Sequence, residues 1–289
     1  MHGWSEMNES GAETERKDLL VRSRAGLLDA LEGLAEQREA VVIVGSQAIY
    51  LRTKSAPVAL AEATKDSDIA LDPRDLRDDP LVETSMKEAG FQPNLLTGQP
   101  GAWVNSDGIP VDLMVAEALA GGKPTSRGAR IPPHDSRVAR KAAGLEAAMV
   151  DNSLMQVGAL DETDDRVYTV KVAGSAALVV AKLHKIGERA KNQPRRLLDK
   201  DAHDLYRVLI DTETEDLANS FRALLDNETS RTATDKSLAY LREHFAQGPD
   251  AVGSVMAGRA EEGVGEPETV SASVAILAQD LLEVLETSS

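Results

Sequence analysis

Two aspartates separated by one residue, Asp66 and Asp68, are the side chains in this sequence whose spacing most directly predicts chemistry. They open an apolar run that ends at residue 71, which is typical of a β-strand. Side chains on a strand alternate between its two faces, so both carboxylates should project from the same face. Neighbouring carboxylates repel each other unless a cation neutralises them. The pattern therefore predicts a site for Mg²⁺ or Mn²⁺, because these ions prefer hard oxygen ligands.

A third carboxylate, that of Asp112, lies within the apolar segment 109–115. Burying an acid in an apolar strand is unfavourable unless it is paired or bound to a metal ion. Asp112 is therefore a candidate third metal ligand from a neighbouring strand. The alternative is that Asp66 and Asp68 lie on an acidic strand edge that faces solvent and binds no metal.

A sharp turn is predicted shortly before the Asp-x-Asp segment, at Gly45 and Ser46. The preceding run, Val41–Val44, is β-branched and continuous, as in a buried strand, and residues 46–54 permit a helix. Glycine allows backbone amides to approach a phosphate closely, and a helix N-terminus adds a partial positive charge. The turn therefore predicts a phosphate contact.

Basic side chains lie at helical spacing in a predicted helix over residues 175–191. They are Lys182, Lys185 and Arg189. A lysine is a compact point charge on a long stem, so Lys182 can extend across a cleft to a triphosphate. These cations make the helix a candidate for binding the phosphates of a nucleotide.

The next predicted helix, residues 199–210, carries Asp201 and Asp204 three residues apart, so they share one face. Asp204 would either orient Lys182 or accept a proton from an attacking hydroxyl. The alternative is a run of surface ion pairs, each of which contributes little to stability.

Taken together, these segments resemble a known group of enzymes. Gly-Ser followed by Asp-x-Asp resembles the signature of the DNA polymerase β-like nucleotidyltransferase superfamily. The full series is similar, over residues 40–210, to the four motifs of the AbiEii/AbiGii-type nucleotidyltransferase toxins. Its parts are Gly45-Ser46, then Thr64-Lys65-Asp66-x-Asp68, then Lys182 with Arg189, then Lys200-Asp201-x-x-Asp204-Leu205.

The resemblance implies a role for each matching residue. The implied catalytic residues are Asp66, Asp68, Lys182 and Asp204. The implied metal ligands are Asp66 and Asp68, with Asp112 as the further candidate. The implied nucleotide contacts are Gly45, Ser46, Lys182, Lys185 and Arg189. The implied reaction moves a nucleoside monophosphate from a nucleoside triphosphate to RNA, at a tRNA 3′ end, by the toxin of a toxin–antitoxin or phage-defence pair with an antitoxin as protein partner.

Composition limits where the protein works and what it binds. The chain has 289 residues and no cysteine, which excludes disulfides and suits a reducing compartment. Its polar N-terminus lacks the apolar stretch of a signal peptide, and no run is long enough to span a membrane, so a cytoplasmic protein without a membrane partner is expected. The net charge of −16 disfavours binding to nucleic acid, because like charges repel. Residues 121–210, however, hold more Lys and Arg than Asp and Glu, so an RNA acceptor is expected there unless these residues form a solvated helical face.

The order of predicted elements favours an α+β fold. A nucleotidyltransferase-type lobe with a mixed sheet, residues 15–173, is expected after a disordered segment, residues 1–14, and before a mainly helical lobe, residues 174–289. The predicted strands are 41–44, 66–71, 91–96, 102–105, 111–115, 145–150, 154–160 and 168–172. The predicted helices are 15–38, 46–54, 78–90, 175–191, 199–210, 214–226, 234–246 and 268–286.

Two other functions fit parts of the same pattern. An enzyme that transfers a nucleotide to a small molecule, as the aminoglycoside nucleotidyltransferases do, shares Gly-Ser and Asp-x-Asp but does not need a basic middle third. A non-catalytic nucleotide-binding protein would keep the fold without turnover. The presence of all four implied catalytic residues argues against that second alternative.

Overall fold

The computed structural model describes residues 3–53, 65–123 and 125–287, with side chains described from Asp18 onward. The strands are β1 (Val41–Val44), β2 (Ser67–Leu71), β3 (Gln92–Pro93), β4 (Ala102–Val104), β5 (Pro110–Ala116), β6 (Arg140–Ala142), β7 (Asn152–Gly158) and β8 (Val167–Ala173). The α-helices are α1 (Gly3–Gly33), α2 (Gly45–Arg52), α3 (Val82–Glu88), α4 (Ser175–Asn192), α5 (Asp199–Asp211), α6 (Thr214–Asp226), α7 (Arg231–His244), α8 (Val252–Arg259) and α9 (Pro267–Thr287). Short 3-10 helices lie at Ala35–Ala40, Ala147–Met149 and Pro194–Arg196.

One mixed sheet brings the chemically interesting segments together. Its strand order is β3-β4-β5-β2-β1-β8-β7, and β6 pairs with β5. β1 runs antiparallel to β2 and parallel to β8, while β2 runs parallel to β5. The register places Val44 opposite Asp68 and Asp68 opposite Asp112. The end of β1 and two of the three predicted metal ligands therefore lie side by side.

Apolar stripes on the helices explain how they cover the sheet. In α1, Leu27, Leu28 and Leu31 are fully buried, and the helix contacts β2 and β5. In α4, Leu183 and Ile186 are buried, and this helix contacts α2, α5 and α7. The apolar side chains of the sheet and of the C-terminal helices form one continuous core. The protein is an α+β protein whose mixed sheet is followed by a helical C-terminal region.

Three of the predicted elements differ from the structure in type or extent. Residues 145–150 form a buried 3-10 turn around Ala147–Met149 rather than a strand. The prediction failed because the periodicity of a short apolar run does not distinguish a strand from a helical turn. The strand predicted at 91–96 is limited to Gln92–Pro93. The helix predicted at 78–90 begins only at Val82, two residues after Pro80, whose ring interferes with helical hydrogen bonding. In addition, β6 and α8 were not predicted.

One of the lobe boundaries predicted from the sequence falls at a junction between two elements of the structure. β8 ends at Ala173 and α4 begins at Ser175, which is where the division into two lobes was placed. α1 extends back to Gly3, within the segment 1–14 expected to be disordered. The domain boundaries themselves stay predictions. Within the described residues, no helix combines the length and the apolar character needed to cross a membrane.

Candidate active site

Three carboxylates meet where β2 and β5 run side by side. Asp68 and Asp112 are register partners on these strands, and Asp66 lies directly before β2. The pKa of Asp68 is raised to about 6, mainly by burial and also by the neighbouring carboxylates of Asp66 and Asp112. Burial also raises the pKa of Asp112. The aspartates therefore form an electrostatically strained cluster that favours binding of a cation.

Arg140, which begins β6, supplies a cation to this cluster from within the protein. Its guanidinium donates two hydrogen bonds to Asp112 Oδ2, at 3.1 Å from Nη2 and 3.3 Å from Nε. Nη2 also lies 4.0 Å from Asp68 Oδ1. No sequence pattern indicated this role, because Arg140 starts a strand of only three residues and lies 28 residues from Asp112.

The turn between β1 and α2 lies directly against Asp68. Gly45 has φ +67°, in the left-handed region that favours glycine. A Cβ atom added at Gly45 would lie 2.1 Å from Asp68 Oδ2. Any other residue would therefore collide with the carboxylate, so the Gly-Ser turn and the Asp-x-Asp segment are one structural unit.

Lys182 on α4 forms a buried ion-pair cluster with two aspartates of α5. Its Nζ donates to Asp201 Oδ1 at 2.8 Å and to Asp204 Oδ2 at 2.6 Å. Burial alone would lower the pKa of Lys182, but the two carboxylates raise it above its ordinary value. Asp204 also accepts a hydrogen bond from Ser46 Oγ at 3.0 Å. The ion pair with Lys182 is the contact that the orienting role of Asp204 requires, and both roles considered for Asp204 stay predictions.

This cluster places Ser46 and Lys182 differently from what the resemblance implied. The Ser46 hydroxyl is directed at Asp204, and Ser46 is 4% exposed. Lys182 borders a cavity, yet only 7% of its side chain is exposed. Direct contacts of these two side chains with nucleotide phosphates stay predictions.

Lys185 and Arg189, one and two turns beyond Lys182 on α4, reach the open cleft. Lys185 Nζ donates to Asp201 Oδ1 at 2.9 Å, and Arg189 Nη1 donates to Asp201 Oδ2 at 3.1 Å. Burial lowers the pKa of Lys185, and the nearby charge of Lys182 lowers it further. Because 38% of the Lys185 side chain is exposed, it is better placed than Lys182 to meet an anion.

Two cavities adjoin the carboxylates, and we call them the inner and the outer cavity. The inner cavity, about 420 Å³, includes Gly45, Asp68, Lys141 and Lys182 in its lining. The outer cavity, about 1030 Å³, includes Lys65, Asp66, Asp112, Lys200 and Arg259. Both are bordered by Gln99, Arg140, Lys185, Arg189 and Arg196. The carboxylates thus lie at the junction of two cavities with predominantly basic walls.

A buried polar network holds the carboxylate strand and the Gly-Ser turn from behind. Arg24 of α1 donates to Gln47 Oε1 at 2.9 Å, and Gln47 Nε2 donates to Ser23 Oγ at 3.1 Å. Ser67, between the two aspartates, donates to the carbonyl oxygen of Ser23 at 3.0 Å. Sequence reasoning missed this network. A signal existed, because Arg24 lies three residues before Leu27, on the apolar side of the predicted helix.

The carboxylates fit a hard divalent cation in their chemistry. Asp66, Asp68 and Asp112 offer only oxygen ligands, and the Arg140 guanidinium shows that the cluster accepts a positive group. In the described part of the chain, however, no three His, Cys, Asp or Glu side chains are arranged closely enough to hold a metal ion as they stand. The donor set is chemically suitable, and its side chains would have to move closer together to hold an ion.

Comparisons with known proteins add a single likeness. No family model matches the chain, and no curated protein sequence matches it significantly. Among solved structures, the chain is similar to "Crystal structure of putative nucleotidyltransferase from H. pylori", with 10% sequence identity and a TM-score of 0.32. The match covers 96% of this chain and 97% of the other. At that identity and TM-score the likeness does not establish a shared family or activity.

Proposed function

We propose that this protein is a metal-dependent nucleotidyltransferase that transfers a nucleoside monophosphate from a nucleoside triphosphate to a hydroxyl group of RNA. The observation that carries the proposal is the junction of three carboxylates with two basic cavities. Phosphoryl-transfer sites commonly bind a divalent cation through carboxylates and hold phosphates with fixed positive groups. Both kinds of group are present here within one cleft.

The two cavities suit the two substrates. The triphosphate occupies the inner cavity, where Lys185, Arg189 and the positive end of α2 beside Gly45 stabilise its negative charge. The acceptor hydroxyl enters from the outer cavity, which is the larger and includes Asp66 in its lining. The α-phosphorus then lies at the junction, between the incoming hydroxyl and the departing pyrophosphate.

The reaction is a single displacement at phosphorus. A bond forms between the acceptor oxygen and the α-phosphorus, and the bond from that phosphorus to the pyrophosphate oxygen breaks. Asp66 accepts the proton of the acceptor hydroxyl, because it lies on the acceptor side and general bases must be within hydrogen-bonding reach. Asp66, Asp68 and Asp112 would hold a divalent cation, which when bound offsets phosphate charge and makes the hydroxyl more acidic.

RNA is the acceptor class that the charge distribution supports. The outer cavity carries Lys65, Lys200 and Arg259 beyond the basic residues that it shares with the inner one. A polyanion would be repelled elsewhere by a chain whose net charge is −16. In line with the AbiEii-type resemblance, we propose a tRNA 3′ end as the acceptor and a toxin role held in check by an antitoxin.

The test is to incubate the protein with each α-labelled nucleoside triphosphate, Mg²⁺ and total cellular RNA, and to separate the products on a denaturing gel. We expect a labelled small-RNA band with the wild type and none with Asp68→Asn. Asp235→Asn, which removes an exposed carboxylate on α7, serves as the matched control and should retain activity. Label on a small amine or sugar would indicate a small-molecule acceptor, and no transfer of any label would contradict the proposal.

A further inference from the structure

Arg140 bridges carboxylates that belong to two different strands. Its guanidinium is hydrogen-bonded to Asp112 on β5 and approaches Asp68 on β2. A positive group in this position reduces the repulsion between the aspartates. A metal ion held by the same carboxylates would need the same oxygen atoms. Arg140 and a divalent cation therefore compete for one site.

The backbone of Arg140 is fixed, whereas its side chain has room to move. The strand β6 pairs with β5, with Arg140 opposite Met114, and Arg140 also forms a bridge to Gly128. Its side chain is 29% exposed and borders both the inner and the outer cavity. Rotation of the side chain alone would release Asp112 and carry the guanidinium into the inner cavity. Guanidinium groups bind phosphates well there, because their planar donors match pairs of phosphate oxygens.

We infer that Arg140 occupies the carboxylates until a divalent cation displaces it, and that it then binds the phosphates in the inner cavity. This inference rests on the proposed function, since it assumes a metal ion and a triphosphate. The side chain of Arg140 would thereby couple the binding of the metal ion to the binding of the triphosphate. The triphosphate draws Arg140 away from the aspartates, so each ligand makes binding of the other more favourable.

The test measures Mn²⁺ binding without nucleotide, from the loss of the electron paramagnetic resonance signal of free Mn²⁺. Because the competing cation is gone, Arg140→Gln should bind Mn²⁺ more tightly than the wild type by about ten-fold, within the usual range for coupled equilibria. Arg137→Gln is the matched control, since it removes the same charge from an exposed residue three positions away. Its Mn²⁺ affinity should stay within about two-fold of the wild type, because exposed charges are screened.

A thermal unfolding series supplies a second readout. In chelator, Arg140→Gln should unfold at a lower temperature than the wild type, because three carboxylates lose their counter-ion, and added Mn²⁺ should restore much of the loss. If Arg140→Gln does not fold, Arg140→Lys is the second variant, because it keeps the charge without the planar fork of donors. It should bind Mn²⁺ several-fold more tightly than the wild type, but with less than the gain of about ten-fold expected for Arg140→Gln.

The outcomes separate the inference from the proposed function. Mn²⁺ binding by the wild type with equal or weaker binding by Arg140→Gln would overturn the competition and leave the nucleotidyltransferase proposal standing. The same holds for Arg140→Lys if its affinity equals that of the wild type. Absence of Mn²⁺ binding in every variant would overturn both, because the carboxylates would then hold no metal ion.

Discussion

Asp201 is the residue on which the basic side of the cleft depends. Its carboxylate accepts hydrogen bonds from Lys182, Lys185 and Arg189, all on α4. Three cations within two turns of one helix repel each other unless a negative group lies among them. Because Asp201 is itself 1% exposed, its charge is little screened by water. It keeps the cations close together at the edge of the inner cavity.

The first prediction is that Asp201→Asn lowers the free energy of unfolding at pH 7 by about 3–5 kcal/mol, the usual cost of breaking a buried ion pair. Burial alone would raise the pKa of Asp201, but Lys182 and Lys185 hold it below its ordinary value of 3.8. Because the pKa is lower in the folded state, ionised Asp201 stabilises the fold at pH values above 3.8. This stabilisation is lost as the pH falls through the folded-state pKa.

Urea unfolding over a pH series measures the difference between wild type and variant. The difference should be constant at neutral pH and shrink once the pH falls below 3.8. Asp235→Asn should change stability by no more than about 0.5 kcal/mol, as expected for a surface position. A difference that stays the same on acidification would show that the charge of Asp201 is not what stabilises the helix pair.

At the scale of elements, the site depends on the junction of β1, α2 and β2. Only glycine fits at Gly45, because φ is positive there and Asp68 occupies the space beside it. The network of Arg24, Gln47 and Ser67 fixes the same junction from the side of α1. The carboxylates are therefore positioned by a helix whose described side chains, from Asp18 onward, line neither cavity.

The second prediction separates backbone strain from collision with Asp68. Gly45→Ala should lower stability by about 1–2 kcal/mol for the left-handed backbone alone, and should abolish nucleotide transfer because Asp68 must move. Gly108→Ala is the control: its φ is +74°, and a Cβ there meets nothing within 4 Å. It should show the strain cost measured by urea unfolding but normal transfer. Normal transfer by Gly45→Ala would mean that the position of Asp68 is unimportant.

Sequence patterns predicted the elements whose signal is local. β1 was predicted from four consecutive β-branched residues, and α4 from the helical spacing of apolar residues such as Leu183 and Ile186. β6 was missed because three residues carry no usable period, and α8 because its two glycines resemble those of a loop. The alternation of apolar and polar side chains along a strand does not reveal which strands become neighbours in the sheet.

Several of the predicted site residues lie near one another in the structure, whereas most of their pairings were not predicted. Asp68 and Asp112 were expected on adjacent strands, and the register places them opposite each other. The ion pair of Lys182 with Asp201 was not foreseen, because Asp201 is 19 residues away on another helix. Arg140 was missed for the same reason. Long-range pairing depends on how the elements pack, which no local pattern specifies.

For the whole molecule, the charge distribution indicates where the proposed RNA acceptor would bind. Within an acidic chain, the basic side chains converge on the two cavities that share Arg140, Lys185, Arg189 and Arg196. Arg195 and Arg196 both lie in residues 121–210, the basic segment where an RNA acceptor was expected. The structure distinguishes them, because Arg196 borders both cavities and Arg195 is exposed and borders neither.

The third prediction uses this pair. Arg196→Ala should weaken RNA binding and flatten the log–log dependence of affinity on salt by about 0.7, the value for one lost phosphate contact on a single strand. Arg195→Ala removes an identical charge next to it and should leave the slope nearly unchanged. RNA affinity measured across a salt series for both variants and the wild type is the test. Equal effects of the two variants would place RNA outside the cavities.

The hydrogen bond between Ser46 and Asp204 joins residues 158 positions apart. A ribosome releases the N-terminal half first, so a growing chain exposes Asp66, Asp68 and Asp112 long before α5 leaves the exit tunnel. Until then the inner cavity lacks Lys182, Lys185 and Arg189 in their paired arrangement. The half-made chain thus carries the acids of the site without the paired cations of α4, so the proposed activity would begin only after most of the protein has been translated.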